Sequence, residues 1–284
     1  MIRRHELSDA QWVLLSPLLP SLKTRGSRYH DHRTILNGML FRIHTGIPWR
    51  DLPERYGPWQ TGYCRYRRGT RNGLWDRILA ALQRQLDAAG GIEWSLWCID
   101  GSNVRAHQAA AGAGKNRPLP EPIDHALGRS RGGWGTKLHL VTDGAGLPLA
   151  VKLSAGQAGE ALYAEPVLDA VCIHRPHGPR QRPQQLAADR AYSHRRIRQW
   201  LRHHRVRAGI PERRDQIAHR RGRPPAFDIQ QYRRRNVVER CVGWLKEARA
   251  IATRFEKLAT HYLGSIKLAM IQRHLRLLNL SNTA

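Results

Sequence analysis

Three acidic residues are set where they could do chemistry. Asp100 closes the apolar run Trp94-Ser95-Leu96-Trp97-Cys98-Ile99 and is followed by Gly101. Asp189 closes a second run, Gln185-Leu186-Ala187-Ala188, inside a strongly basic stretch. An apolar run ending in a carboxylate reads as a buried strand that presents an acid at its C-terminal edge. If the two strands are neighbours, the two acids meet. The third, Glu239, lies in Tyr232-Arg233-Arg234-Arg235-Asn236-Val237-Val238-Glu239, which continues to Lys246. Offsets from Tyr232 are 3 to Arg235, 7 to Glu239 and 14 to Lys246. On one continuous helix, expected over about 229–250, these four share a face, and Val238, Cys241 and Leu245 form the adjoining packing stripe. Three carboxylates on rigid elements suit two Mg²⁺ ions, with Mn²⁺ as a substitute, because such ions take hard oxygens and keep several waters. Two ions of this kind activate the attacking oxygen and stabilise the leaving one in phosphodiester chemistry. Asp100, Asp189 and Glu239 are therefore the candidate catalytic residues and metal ligands.

The charge balance names the partner class. There are 48 Lys+Arg against 22 Asp+Glu, a net +26, and 41 of the 48 are Arg. Such an excess repels itself unless a polyanion neutralises it, and Arg suits bidentate phosphate contacts better than Lys. The segment Ile173 to Pro224 alone carries 15 Arg and 3 acids. Its density between Asp189 and Glu239 reads as a surface that tracks DNA rather than a merely solvated face.

Other classes are excluded. No run of about 20 apolar residues suggests a membrane span. Met1-Ile2-Arg3-Arg4-His5-Glu6-Leu7 lacks the apolar core of a signal peptide, so a cytoplasmic, DNA-associated protein is expected. Cys64, Cys98, Cys172 and Cys241 form no C-x-x-C pair, and the 15 His form no paired metal motif. A chain of 284 residues with 41% hydrophobic residues and 9 Trp is long and apolar enough to fold on its own core.

The positioning elements fall into two parts: an all-α part over 1–90 and a mixed α/β part over 91–284. Ser8 with Gln11 reads as a capping box opening a helix at Trp12. A loop is expected over about 23–32, and Ile35, Met39, Leu40 and Ile43 mark a second helix that stops at Gly46. Trp49 to Arg55 reads as a short helix. Thr61 is the expected cap of a third, and Leu74, Ile78, Leu79 and Leu82 mark a fourth. Short helices joined by Gly-containing turns fit a helix-turn-helix-like DNA-binding domain. Arg50, Arg65, Arg67 and Arg68 are its candidate DNA contacts, beside Tyr232, Arg235 and Lys246 further on. A packing or dimerisation module with a solvated basic face is the alternative. In the second part a linker is expected over about 107–133. Beyond it, residues 135–142 and 147–153 read as a hairpin closed by Asp143-Gly144-Ala145-Gly146. Turn chemistry accounts for Asp143. Glu160 follows a strand, where it could contact metal or DNA. Trp134 reads as core or loop packing, with base stacking as the sharper alternative.

The spacing Y-x2-R-x3-E-x6-K resembles the signature of DDE transposases of bacterial insertion sequences, of the IS-five type. Matching segments in family order are Trp49-Arg50-Asp51-Leu52-Pro53, Asp100-Gly101-Ser102, Gly132 to His139, Ala188-Asp189-Arg190-Ala191-Tyr192 and Val238-Glu239-Arg240. They span about residues 5–280. Two positions depart from the pattern: Gly159 stands where a polar residue or His is expected, and Gly69 where an aromatic is common. The resemblance implies an RNase H-like catalytic core, a mixed sheet flanked by helices. Asp100 would lie on its first strand, Asp189 after its fourth and Glu239 on a later helix. It implies binding of the terminal inverted repeats, metal-dependent cleavage at the element ends, and joining of 3′-OH ends to target DNA by a homo-oligomer, expected to be a dimer. An RNase H-like nuclease and a non-catalytic DNA-binding regulator are the alternatives.

Overall fold

The computed structural model describes residues 4–21, 31–111 and 125–281. Most of the loop expected at 23–32 and the middle of the linker expected at 107–133 lie outside them.

Ser8 opens helix α1 (Asp9–Leu15) with the expected box: its Oγ accepts from Gln11 N, and Gln11 Oε1 accepts from Ser8 N. Pro17 converts the following turn to a 3-10 turn over Ser16–Leu18. Helix α2 (His32–Thr45) is capped by Asp31 and ends at Gly46, whose φ of +74° is the left-handed stop that favours glycine. The expected helix at 49–55 is instead two 3-10 turns, Trp49–Asp51 and Glu54–Tyr56, because Pro53 separates them. Helix α3 (Trp59–Arg71) starts earlier than expected. Pro58, not Thr61, stands at its cap, and Thr61 N already bonds to the Pro58 carbonyl. Helix α4 (Leu74–Ala88) follows Gly73.

Strand β1 (Leu96–Ala106) leads to the single turn α5 (Gln108–Ala111). Strands β2 (Gly128–Ser130), β3 (Gly133–Asp143) and β4 (Pro148–Ala155) include the expected hairpin, β3–β4. A 3-10 turn and helix α6 (Ala164–Asp169) precede strand β5 (Gln185–Ala187). Helix α7 (Arg195–His203), strand β6 (Arg207–Gly209) and helix α8 (Arg214–Ala218) come next. The single helix expected over 229–250 is three: α9 (Ile229–Arg233), α10 (Asn236–Glu247) and α11 (Arg249–Ala252). Tertiary contacts accompany the first break. Arg234, at the end of α9, binds both oxygens of Glu93 at 2.7 Å and the Gly144 carbonyl at 3.3 Å. Strand β7 (Thr253–Arg254) and helix α12 (Ala259–Ser281) complete the chain.

These elements form two compact units. The helical unit takes residues up to Gly91, Arg105–His125 and the stretch from Leu245 onward. A chain division at 90/91 thus describes sequence order, whereas packing returns α11 and α12 to the N-terminal helices. Helix α12 packs on α4, α3, α1 and α2, burying Tyr262, Ile266, Met270 and Leu275 with Leu15, Ile35, Ile78 and Leu82. Each aliphatic side chain so buried contributes about 1.5–3 kcal/mol. The Tyr66 hydroxyl donates to the His261 carbonyl and meets Ser265 Oγ at 2.9 Å, fixing α3 to α12. The Arg42–Glu256 pair, at 2.6 Å, is almost fully enclosed.

The other unit holds Ile92–Val104 and Ala126–Trp244. Its sheet runs β2–β3–β1–β5–β6, with β4 also on β3. The hairpin is antiparallel, whereas β1, β5 and β6 are parallel, so the sheet is mixed. Helix α6 packs on β3 and β4, and α7 and α9 pack on β6. Trp97, Ile99, Leu138, Leu140, Leu186 and Ile197 fill the core. Trp134 does not: it is 48% exposed near the start of β3, so the packing reading fails for it.

Gly69 has a packing reason. A Cβ on Gly69 would lie 2.6 Å from Trp75 Cζ2, so the glycine lets the indole lie flat on α3. Gly69→Ala is expected to cost about 1–3 kcal/mol through overpacking. A denaturant midpoint unchanged or raised, as helix propensity alone would give, would contradict that contact.

Candidate active site

The parallel pairing of β1 with β5 sets Leu96, Trp97 and Cys98 opposite Gln185, Leu186 and Ala187. Asp100 lies two residues past Cys98, and Asp189 two past Ala187. The register therefore carries both carboxylates to the same level beyond the paired segment. Asp100 is not at a strand end as expected. It sits mid-way along β1, and its partner strand is the one that stops. Asp189 leaves β5 and caps the next turn, one oxygen accepting from Ala191 N at 2.9 Å.

Glu160 joins them. Gly101 makes room for it: a Cβ at Gly101 would lie 2.6 Å from the Glu160 side chain. Lys137 Nζ pairs with Glu160 at 3.2 Å and donates to the Ala158 carbonyl at 3.0 Å. Burial raises the Asp100 carboxyl to about 6; the Arg235 guanidinium opposes the rise, and the charges of Glu160 and Asp189 add to it. Tyr192 is wholly buried and its hydroxyl has no hydrogen-bond partner. Burial pushes that phenol up, and Glu160, Asp100 and Asp189 push it further. Sequence reasoning gave Glu160 a minor reading and missed Tyr192, whose signal was its place in Asp189-Arg190-Ala191-Tyr192.

Arg235 is the link to Glu239. One of its nitrogens lies 3.7 Å from Asp100 Oδ1, and the other bonds Glu239 Oε1 across one helical turn. Burial works against its charge, but Glu239 and Asp100 outweigh burial and raise its pKa. The Tyr232 ring lies 6.0 Å from the same guanidinium. Tyr232, Arg235 and Glu239 are thus brought together although the helix expected to carry them is broken between Tyr232 and Arg235. Lys246 lies in the last turn of α10. Val238, Cys241 and Leu245 are buried as expected, while Glu239 is exposed on the opposite side of α10.

Asp143, read as a turn residue, is one. It is fully buried and accepts from Ala145 N, Leu147 N and Glu93 N at 2.8–3.0 Å. His139 likewise has a packing role, bonded to Ser154 Oγ at 2.7 Å and stacked on Tyr163.

Residues 95–271 match the family described as "Transposase DDE domain", which covers more than half of the chain. The chain belongs to the DDE transposase family. Residues 7–79 match a second family, "Putative transposase of IS4/5 family". Among similar proteins is the "Insertion element IS402 uncharacterized 16.2 kDa protein" of Burkholderia cepacia, 36% identical over 40% of this chain and 82% of its own length. The "Putative transposase for insertion sequence element IS402" of the same organism is 34% identical over 55% of this chain and 67% of its own length. The counterpart for IS6501 in Brucella ovis is 30% identical over 50% of this chain and 98% of its own length. No solved structure matches the chain.

This transposase therefore has the RNase H-like fold of its family, and the mixed sheet between helices is that core. DDE transposase domains act on DNA and generally use divalent metal ions. The donor set here fits such an ion: the hard carboxylate oxygens of Asp100, Asp189 and Glu160 and the orphaned Tyr192 hydroxyl act on one another, and Arg235 only partly offsets the charge at Asp100. Among the described residues no group of three or more His, Cys, Asp or Glu is gathered closely enough to hold a metal. Glu239 is the member held aside, on Arg235.

The N-terminal candidates belong to the helical unit. Arg67 and Arg68 are exposed on α3 and line a shallow concavity with Arg71. Arg65 is half-buried, its Nη1 3.2 Å from His32 Nδ1, and Arg50 stacks over Trp59 at 5.8 Å. Among the described residues no helix is long and apolar enough to cross a membrane.

Two acids can be told apart by stability. Asp143→Ala strands three backbone donors and is expected to cost about 2–4 kcal/mol. Asp100→Asn removes a buried charge among like charges and is expected to stabilise the metal-free protein by about 1–3 kcal/mol. Chemical denaturation at neutral pH without metal checks both, and losses of equal size would refute the distinction.

Proposed function

We propose that this transposase binds the terminal inverted repeats of its insertion sequence, cleaves there and transfers the strand ends to target DNA. The observation that supports the reading is the Arg235 bridge from Asp100 to Glu239, together with the β1–β5 register that sets Asp189 level with Asp100. Asp100, Asp189 and Glu239 would hold the metal, expected to be two Mg²⁺ ions with Mn²⁺ as a substitute. Metal ions bound there would supply an activated attacking oxygen and stabilisation of the leaving one.

The protein's own groups do the rest. Arg235 holds Glu239 through a charge-assisted bond in the absence of DNA. A scissile phosphate competes for the same guanidinium, which frees Glu239 to turn toward Asp100. Glu160 stays on Lys137 beside Asp100, which strengthens the demand for a cation. Gly101 keeps the β1 backbone open to that approach. Residues 1–90 serve as the DNA-binding domain in this reading, with Arg50, Arg65, Arg67 and Arg68 on DNA, and residues 91–284 serve as the catalytic domain. Tyr232 and Lys246 are DNA contacts in the same reading. Two ends must be held together, so the active species is a dimer.

The test is a cleavage assay on DNA carrying the inverted repeats of the element. Mg²⁺-dependent nicks at the repeat ends are expected, abolished by EDTA and reduced on the order of 10³-fold in Glu239→Gln, since each metal ligand supports several kcal/mol of transition-state stabilisation. Nicking that persists in EDTA, or at the wild-type rate in the variant, would refute the reading.

A further inference from the structure

A second concave surface of the sheet unit takes no part in the carboxylate cluster. It is a groove of about 780 Å³ between α7, β6 and the segment that leads into α9. Arg202, Arg205, Arg207 and Arg223 line it, and all four side chains are exposed. Among the described residues none of the four guanidinium groups is ion-paired. The acid on the wall, Asp228, is already used: its Oδ1 accepts from Gln230 N and Gln231 N as the cap of α9. Four arginines against this one acid leave the groove net cationic, and their guanidinium groups differ from those of Arg182 and Arg196 in the same basic segment, which are paired with Asp169 and Glu165.

Two further features point to a ligand. Arg205 has φ +57°, the left-handed conformation that closes helix α7. Val206 N returns to the Leu201 carbonyl there, and glycine would occupy the position at no steric cost. The chain holds an arginine in a strained conformation and aims it into the groove. Beside it Phe227 is 42% exposed, a large aromatic ring at the rim of a basic trough.

Phe227 also ties the groove to the carboxylates. Its ring lies 5.2 Å from Tyr232, Tyr232 lies 6.0 Å from the Arg235 guanidinium, and Arg235 lies 3.7 Å from Asp100. Gln185 and Arg207 mark the groove end of β5 and β6, and Asp189 lies past the other end of β5. Four residues at about 3.3 Å each separate Gln185 from Asp189, or about 13 Å. A strand leaving the carboxylates reaches the groove within a few nucleotides.

We propose that this groove binds a single DNA strand, with the four arginines on its phosphates and Phe227 stacked on an unpaired base. Basic grooves with exposed aromatics hold single strands in this way, because only an unpaired base offers its face. The proposal rests on the reading of the protein as one that acts on DNA; it does not depend on the identity of the catalytic acids.

The test uses the full chain and fluorescence anisotropy with a fluorescein-labelled oligothymidylate and a duplex of equal length. Arg205→Gly is the decisive variant, because glycine suits the backbone there. Its thermal midpoint is expected to be unchanged or higher, its oligothymidylate affinity several-fold lower, and its salt slope smaller by about 0.7. Phe227→Ala is expected to lose about tenfold on the single strand and little on the duplex. Wild-type affinity and slope in both Arg205→Gly and the double variant Arg202→Ala/Arg207→Ala would overturn the groove assignment. Equal losses on duplex and single strand would overturn the single-strand assignment. Loss of oligothymidylate binding in a protein that cleaves no repeat end would uphold the groove while the cleavage reading fails. Metal-dependent cleavage in a protein whose oligothymidylate binding ignores Arg205→Gly would do the reverse.

Discussion

The parallel register between β1 and β5 is the constraint on which the site depends. It fixes Asp100 and Asp189 at one level, in a partly buried place where Asp100 is forced up to about 6. A fold that gathers acids against burial and mutual repulsion is destabilised locally. The sheet beneath supplies what offsets it, through Trp97, Cys98, Ile99, Leu186 and Ala187, all essentially inaccessible. Asp100 lies on a strand, and Asp189 is tied two residues past one by its cap bond to Ala191 N, so neither acid is free to swing away from the other.

Arg235 answers the same problem from the other side. It bonds Glu239, touches Asp100 and lies beside Tyr232, and it is a cation of the kind a phosphate displaces from a carboxylate. In the proposed reading, that displacement is what would let Glu239 join the other two acids. The orphaned Tyr192 hydroxyl sits beside this centre, and Arg205, with its positive φ, sits at the groove by the other end of β5.

Much of this was legible in the residues. The capping box at Ser8, the stop at Gly46, the hairpin around Asp143 and the strand before Asp189 follow from local chemistry, and local chemistry prevailed there. Asp143 was separable from the other acids because an Asp followed by Gly144 within a four-residue turn explains itself. Pro53 and Pro58 account locally for the break at 49–55 and the early start of α3, and the other misreadings share a cause, which is tertiary contact. The helix at 229–250 breaks where Arg234 turns to Glu93. Asp100 reads as a strand end, but the strand runs on to Ala106 and pairs its last two residues with β7. Glu160 was hard to weigh because its neighbours Gly101 and Lys137 lie far from it in sequence. Helix α12 gave no hint in its periodicity that it packs with the N-terminal helices.

In the proposed reading Asp100 and Asp189 form one cation site with Glu239. Calorimetric titration of Mn²⁺ into the metal-free protein, and into Asp100→Asn and Asp189→Asn, addresses it without any DNA or turnover. A shared site gives a saturable heat in the native protein that either substitution removes or weakens by at least about tenfold, as loss of one carboxylate from a hard-oxygen site should. The same heat and the same affinity in all three proteins would contradict it.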